Sequence, residues 1–129
     1  MRVLLDECVP RRFRHALVGV DVSITREERW DGLRNGDLLA RMREAGFTAL
    51  VTVDRNLTYQ QHIAASRLAV IVMHAVTNRL DDLVPLAPQV LDAIAATSSG
   101  TIARVGVSIN FEVQQSASRF ITFLRGAKT

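Results

Sequence analysis

Three short apolar runs limit what this chain can fold into. They are Val3 to Leu5, Leu50 to Val53 and Val70 to Met73. A strand exposed on one face alternates polar with apolar residues, whereas a strand buried on both faces reads as a near-continuous apolar run. The runs are too short for buried helices, and β-branched residues are frequent in them. Between them lie segments with helical spacing. Val9, Phe13, Ala16 and Leu17 form one apolar face around Pro10, a residue suited to a first helical turn. Leu38, Leu39, Met42 and Ala45 form another after Asp37, and Gly46 stops it. Buried strands alternating with helices predict a parallel sheet with helices on both faces.

The other elements follow from the same patterns. Val20, Val22 and Ile24 alternate with polar neighbours and predict a short strand. Residues 25–36 are charged and hold two glycines, which predicts loop with a helical turn near Trp30. A strand is expected over 49–53, a short helix over 57–66 and a strand over 69–73. Asn78 is the expected cap of a helix reaching Ala96, which Pro85 and Pro88 kink or split. Residues 101–109 predict a fifth strand, and "RFITFL" a sixth that hairpins with it. The expectation is an α/β domain of three αβα layers. Its central sheet is mainly parallel, with four to five strands, and a short C-terminal β extension follows. The α/β domain spans 1–97. Residues 98–129 complete the same domain or form an oligomer seam, because Phe120, Ile121, Phe123 and Leu124 cluster there.

At 129 residues the chain suits one domain with a real core. Cys8 is the sole cysteine, which excludes an internal disulfide and suits a reducing, cytoplasmic setting. No apolar stretch approaches the length of a membrane span. Asp6 interrupts the first apolar run, so no signal-peptide core is expected. The formal charge is +3, and fifteen of the sixteen basic residues are arginine, Lys128 being the exception. Arginine grips phosphate with a planar fork and stacks on bases, which points to a nucleic-acid partner. A coding bias towards arginine accounts for the same count. Arg11, Arg12 and Arg14 are the tightest basic group.

Each strand that ends in an acid is chemically informative. Asp6 and Glu7 close the first run and Asp54 follows the second. In a parallel sheet those positions share the carboxyl edge, where such folds bind ligands. Asp37, at a helix start, can face them across the crevice. Carboxylates gathered this way need a counter-charge. A hard divalent cation, Mg²⁺ or Mn²⁺, supplies it through oxygen ligands. Blander roles compete. Asp37 can favour the helix macrodipole or pair with Arg41, Asp54 can cap the next helix, and Glu7 can pair with Arg11. His15, His62 and His74 lack metal-ligand spacing, although His74 falls just past the fourth strand. Cys8 reads as a small buried residue, and Trp30 as a packing residue or a platform for a base.

Taken in order, "VLLDECVP", "NGDLLARMREAG" and "LVTVDRN" resemble the PIN-like domains. The likeness is to short prokaryotic members related to the toxin nucleases of toxin–antitoxin pairs, and it covers residues 1–97. It implies a Mg²⁺- or Mn²⁺-dependent nuclease acting on RNA, with a cognate antitoxin protein as partner; a second copy of the chain is the partner that the apolar C-terminal cluster suggests. The resemblance carries the metal-binding and catalytic role to Asp6, Asp37 and Asp54. Glu7 matches the second acid of the opening motif, and Thr52 the threonine before the third acid. Asn56 stands where the short family often has a further aspartate. An amide oxygen can ligate a metal but brings no charge. RNA phosphates are expected at Arg11 and Arg55.

Two other readings compete. Phosphoacceptor receiver domains also carry paired acids after strand one and an aspartate after strand three. They need a lysine after strand five, and the sole lysine is Lys128. The second is a PIN-like binding module whose catalytic site has decayed, which the Asn56 departure supports.

Overall fold

A computed structural model describes residues 1–33, 35–55, 60–106, 110–114 and 120–123. Seven strands form one sheet: β1 (Arg2–Leu5), β2 (Asp21–Ile24), β3 (Ala49–Thr52), β4 (Ala69–His74), β5 (Ile102–Gly106), β6 (Asn110–Gln114) and β7 (Phe120–Phe123). Their order is β2-β1-β3-β4-β5-β6-β7. The first five strands in that order pair in parallel, and β6 and β7 are added antiparallel. The buried apolar runs therefore lie at the centre of the sheet, as their composition predicts. All four β3 residues are buried, and five of the six in β4.

Helices cover both faces. On one face, Phe13 and Leu17 pack with Leu83, Leu86, Val90, Ala93 and Ile94 over Val3, Leu5, Val51, Ile71, Met73 and Val105. Those residues come from a 3-10 helix (Arg11–Ala16) and its exit, and from the segment 80–96. The second face carries α1 (Asn35–Glu44) and α2 (Gln60–Ser66). There Leu38, Leu39, Met42 and Ile63 cover Leu4, Leu50, Val70, Val72 and Ile102. Even-numbered residues of β1, β3, β4 and β5 thus face the α1–α2 layer and odd-numbered residues the other.

Several expectations change. The segment after Pro10 forms a 3-10 helix instead of an α-helix. Residues 80–96 are split as the prolines require, into α3 (Leu80–Leu83), a 3-10 turn (Val84–Leu86) and α4 (Ala87–Ala96). Asn78 does not cap α3. Arg79 holds that position without a side-chain cap, while the Thr77 hydroxyl accepts from the Arg79 amide and donates to Asp82. Residues 120–123 do not hairpin with the fifth strand; Asn110–Gln114 intervenes. Its alternation of polar residues with Phe111 and Val113 carried the strand signal. Leu124 lies outside the described residues. No described helix is long and apolar enough to cross a membrane.

The connections are not all of one hand. The β2–α1–β3 and β3–α2–β4 crossovers step one way across the sheet on the α1–α2 face. The β1–β2 crossover steps the other way on the opposite face, which gives the same hand. The β4–β5 connection steps with the first two but lies on the opposite face, so its hand is reversed. Such reversals are rare in parallel sheets.

Gly100 separates two contributions to stability. Its φ is +79°, and a Cβ there would lie 3.1 Å from the Ala64 carbonyl oxygen. Gly19 has φ +85° with open space around it. Gly19→Ala should cost about 1 kcal/mol from backbone strain alone. Gly100→Ala should cost distinctly more in urea unfolding, because the contact adds to the strain. Equal losses would show that the chain yields freely around Gly100.

Candidate functional site

The sheet order reverses direction at β1, which has β2 on one side and β3 on the other. In open α/β sheets the crevice beyond the strand ends at such a switch point is the favoured ligand site. Asp6 follows β1 there, and its amide donates to the Val51 carbonyl at 2.9 Å, prolonging the β1–β3 ladder. The Asp6 carboxylate is fixed on both oxygens. Oδ1 accepts from the Glu7 amide at 2.9 Å, and Oδ2 from the Thr52 hydroxyl at 2.8 Å.

Thr52 joins the two strand ends. It is fully buried, and besides donating to Asp6 it accepts from the Asp54 amide at 3.0 Å. The Cys8 sulfur lies 3.5 Å from the same oxygen. Cys8 is exposed, contrary to expectation, because it sits in the turn between β1 and the 3-10 helix. Its thiol pKa is raised, mainly by desolvation, with a further push from the Asp6 charge. That shift disfavours the thiolate, the nucleophilic form of the group.

Asp54 is exposed just beyond β3. Asp37 is exposed in the first turn of α1, a helix whose far end meets the start of β1 through the bond from Arg2 to the Ala45 carbonyl. Its start therefore lies towards the carboxyl edge that carries Asp6 and Asp54. Among the described residues Asp37 has no hydrogen-bond or ion-pair partner, so the pairing with Arg41 is not made. Glu7 does not pair with Arg11 either, and accepts from the Gly32 amide at 3.3 Å. Asn56 lies outside the described residues. Arg55 donates to the Ala75 carbonyl at 2.7 Å, and Arg11 lines a cleft beside Asp6 and Glu7.

Sequence reasoning passed over Arg104 and gave His74 little weight. By strand alternation both lie on the α1–α2 face; Arg104 shares the cross-strand row of Thr52 and Val72, and His74 lies two residues beyond Val72. The Arg104 Nη1 is 3.4 Å from the His74 Nε2. Burial lowers the His74 pKa, and the positive charges of Arg55 and Arg104 lower it further. A neutral imidazole can accept from the guanidinium. The available signal was Arg104 itself, a charged residue inside an apolar strand pattern.

The carboxyl edge thus carries acids around β1, β3 and α1, with the cations Arg55 after β3 and Arg104 on β5 on either side of His74. Asp6, Glu7, Asp37 and Asp54 offer only hard oxygen donors, which suit Mg²⁺ or Mn²⁺. Among the described residues no three His, Cys, Asp or Glu side chains gather to hold a metal. Mg²⁺ commonly takes one or two carboxylates and completes its shell with water and substrate phosphate. The donor set fits such a site with two protein ligands. Comparisons with known protein families, curated proteins and solved structures find no match to this chain.

Two measurements probe the site. Thr52→Val keeps the shape but leaves the Asp6 carboxylate and Asp54 amide without their shared partner. It should cost about 1–3 kcal/mol in denaturant unfolding, and Thr52→Ser clearly less. Equal losses would mean that Thr52 matters for its methyl group. The His74 pKa is depressed in the fold, so its contribution to stability is complete above its ordinary value near about 6.5. That contribution falls as the pH drops through the lowered folded value. Melting curves between about pH 8 and 5 should therefore fall more steeply for the parent than for His74→Gln. Parallel curves would exclude this coupling.

Proposed function

We propose that this chain is a PIN-like, metal-dependent ribonuclease of the toxin type, acting in the cytoplasm. The observation that carries the reading is the fixed Asp6 carboxylate at the switch point, tied through Thr52 to the strand end that bears Asp54. Two further features support it. Asp37 stands exposed and unpaired at a helix start towards the same edge. Arg55 and Arg104 bring positive charge beside His74.

Asp6 and Asp54 would hold the cation, with Asp37, Glu7 and Asn56 as the remaining oxygen donors. Such an ion, when bound, supplies an activated water and offsets charge on the phosphoryl group. The other roles belong to the chain's own side chains. Thr52 holds the Asp6 carboxylate in one orientation, so little rotational freedom is lost on binding. Arg55 and Arg104 would meet the non-bridging phosphate oxygens. His74, kept neutral, would accept from Arg104 and so help to orient that guanidinium. A cognate antitoxin protein or a second copy of the chain would be the controlling partner.

A second reading has its own support. The absence of a gathered trio of ligands among the described residues suits a PIN-like module that binds without cutting. Cleavage of single-stranded RNA separates the two. The parent protein with Mn²⁺ should cut, and chelator should stop it. Asp6→Asn and Asp37→Asn should lose cutting to background with unchanged circular dichroism. A purified parent that never cuts but holds RNA establishes the binding module. Cutting that survives Asp6→Asn removes Asp6 from the site.

A further inference from the structure

Two clefts adjoin between the 3-10 helix and the loop that follows β2. One, of ≈ 590 Å³, is lined by Asp6, Glu7, Arg11, Thr25 and Arg26 among others. The next, of ≈ 500 Å³, is lined by Arg11, Arg12, Arg14, His15, Arg26 and Glu27, with Ile24. They share Arg11, Ile24 and Arg26, so together they make one groove that starts at the carboxylate edge.

The charges in the groove are unequally spent. Glu27 is committed to Arg14, which donates from both terminal nitrogens at 2.9 Å and also reaches the Val22 carbonyl at 2.7 Å. That pair raises the arginine pKa and lowers the glutamate pKa, chiefly through its hydrogen bonds. Arg14 is therefore a structural tie. Among the described residues Arg11 and Arg12 have no hydrogen-bond or ion-pair partner, and both are exposed. Among the described residues Arg26 has only Asp31, at 3.8 Å and largely in water, a pairing worth little. Three arginines without firm partners thus line one groove. Their forks match phosphate oxygens, and a row of phosphates matches a row of forks. Among the described residues no Phe, Tyr or Trp side chain lines either cleft, so the groove offers guanidinium forks and the His15 ring in place of a large aromatic platform.

We infer that this groove binds the sugar-phosphate backbone of a single nucleic-acid strand, independently of sequence, and leads it to Asp6. What happens to the strand at Asp6 rests on the ribonuclease reading; the binding does not. The test is fluorescence anisotropy with a labelled 2′-O-methyl oligonucleotide, which cannot be cut through its ribose, in the presence of chelator. Arg12→Gln and Arg26→Gln should each weaken binding, and should each reduce the slope of log Kd against log salt by about 0.7, the single-strand value per phosphate contact. The double variant should lose about 1.4, and Arg67→Gln, outside the groove, should match the parent. Oligonucleotides of different sequence should bind alike. Unchanged affinity and slope in a folded double variant would overturn the inference. So would competition by polyglutamate equal to that by the unlabelled strand, which would assign the groove to an acidic protein. A parent that binds in this way but never cuts would refute the nuclease reading alone.

Discussion

The hydroxyl of Thr52 holds the ends of two neighbouring strands in register. It donates to Asp6 and accepts from the Asp54 amide, and it does so fully buried. A buried hydroxyl must be satisfied or its burial costs stability. Here the partners that satisfy it are the carboxylate and the backbone of the candidate site. The demand of the core and the demand of the site are thereby the same demand. β1 and β3 must pair in this register for Thr52 to be satisfied, and the same register brings Asp6 beside Asp54.

At the edge of the sheet opposite that site, Arg2 donates to the Ala45 carbonyl and lies 4.1 Å from the centre of the Phe47 ring, which meets Trp30 edge-on. Trp30 packs against the α1–α2 core, which answers the question its sequence context raised. The close approach of Gly36 to the His62 ring fixes α1 against α2 near their starts. Asp37, Arg11 and Arg12 are carried on this frame without a bond to it among the described residues, whereas Asp6 and Arg14 are tied into it.

Much of the architecture was legible because burial on both faces leaves a simple mark. Val3–Leu5, Leu50–Val53 and Val70–Met73 could hardly be anything but central strands. The Asp6, Asp37 and Asp54 positions followed from where parallel strands end and helices begin. What escaped depended on neighbours distant in sequence. The 3-10 form of residues 11–16 has the same apolar residues that a short α-helix would show. Arg104 and His74 meet only because β4 and β5 pair, a contact no local pattern records. Glu7 and Arg11 are close in sequence, yet Glu7 turns to the Gly32 amide. Which arginines stay unpaired depends on where Glu27 turns, and that is decided by the β2 turn.

The reversed hand of the β4–β5 connection affects how the protein assembles. Crossovers of the usual hand follow the intrinsic twist of the strands they join. The first three connections share one hand, and the later one has the other. β5 then gains its place from the packing of α4 against strands already formed, through Val90, Ala93 and Ile94. A chain made from its amino end would bring β1 to β4 together first, with Asp6, Thr52 and Asp54 already juxtaposed. The last three strands would close the sheet afterwards, and Arg104 would be the final side chain to reach the crevice.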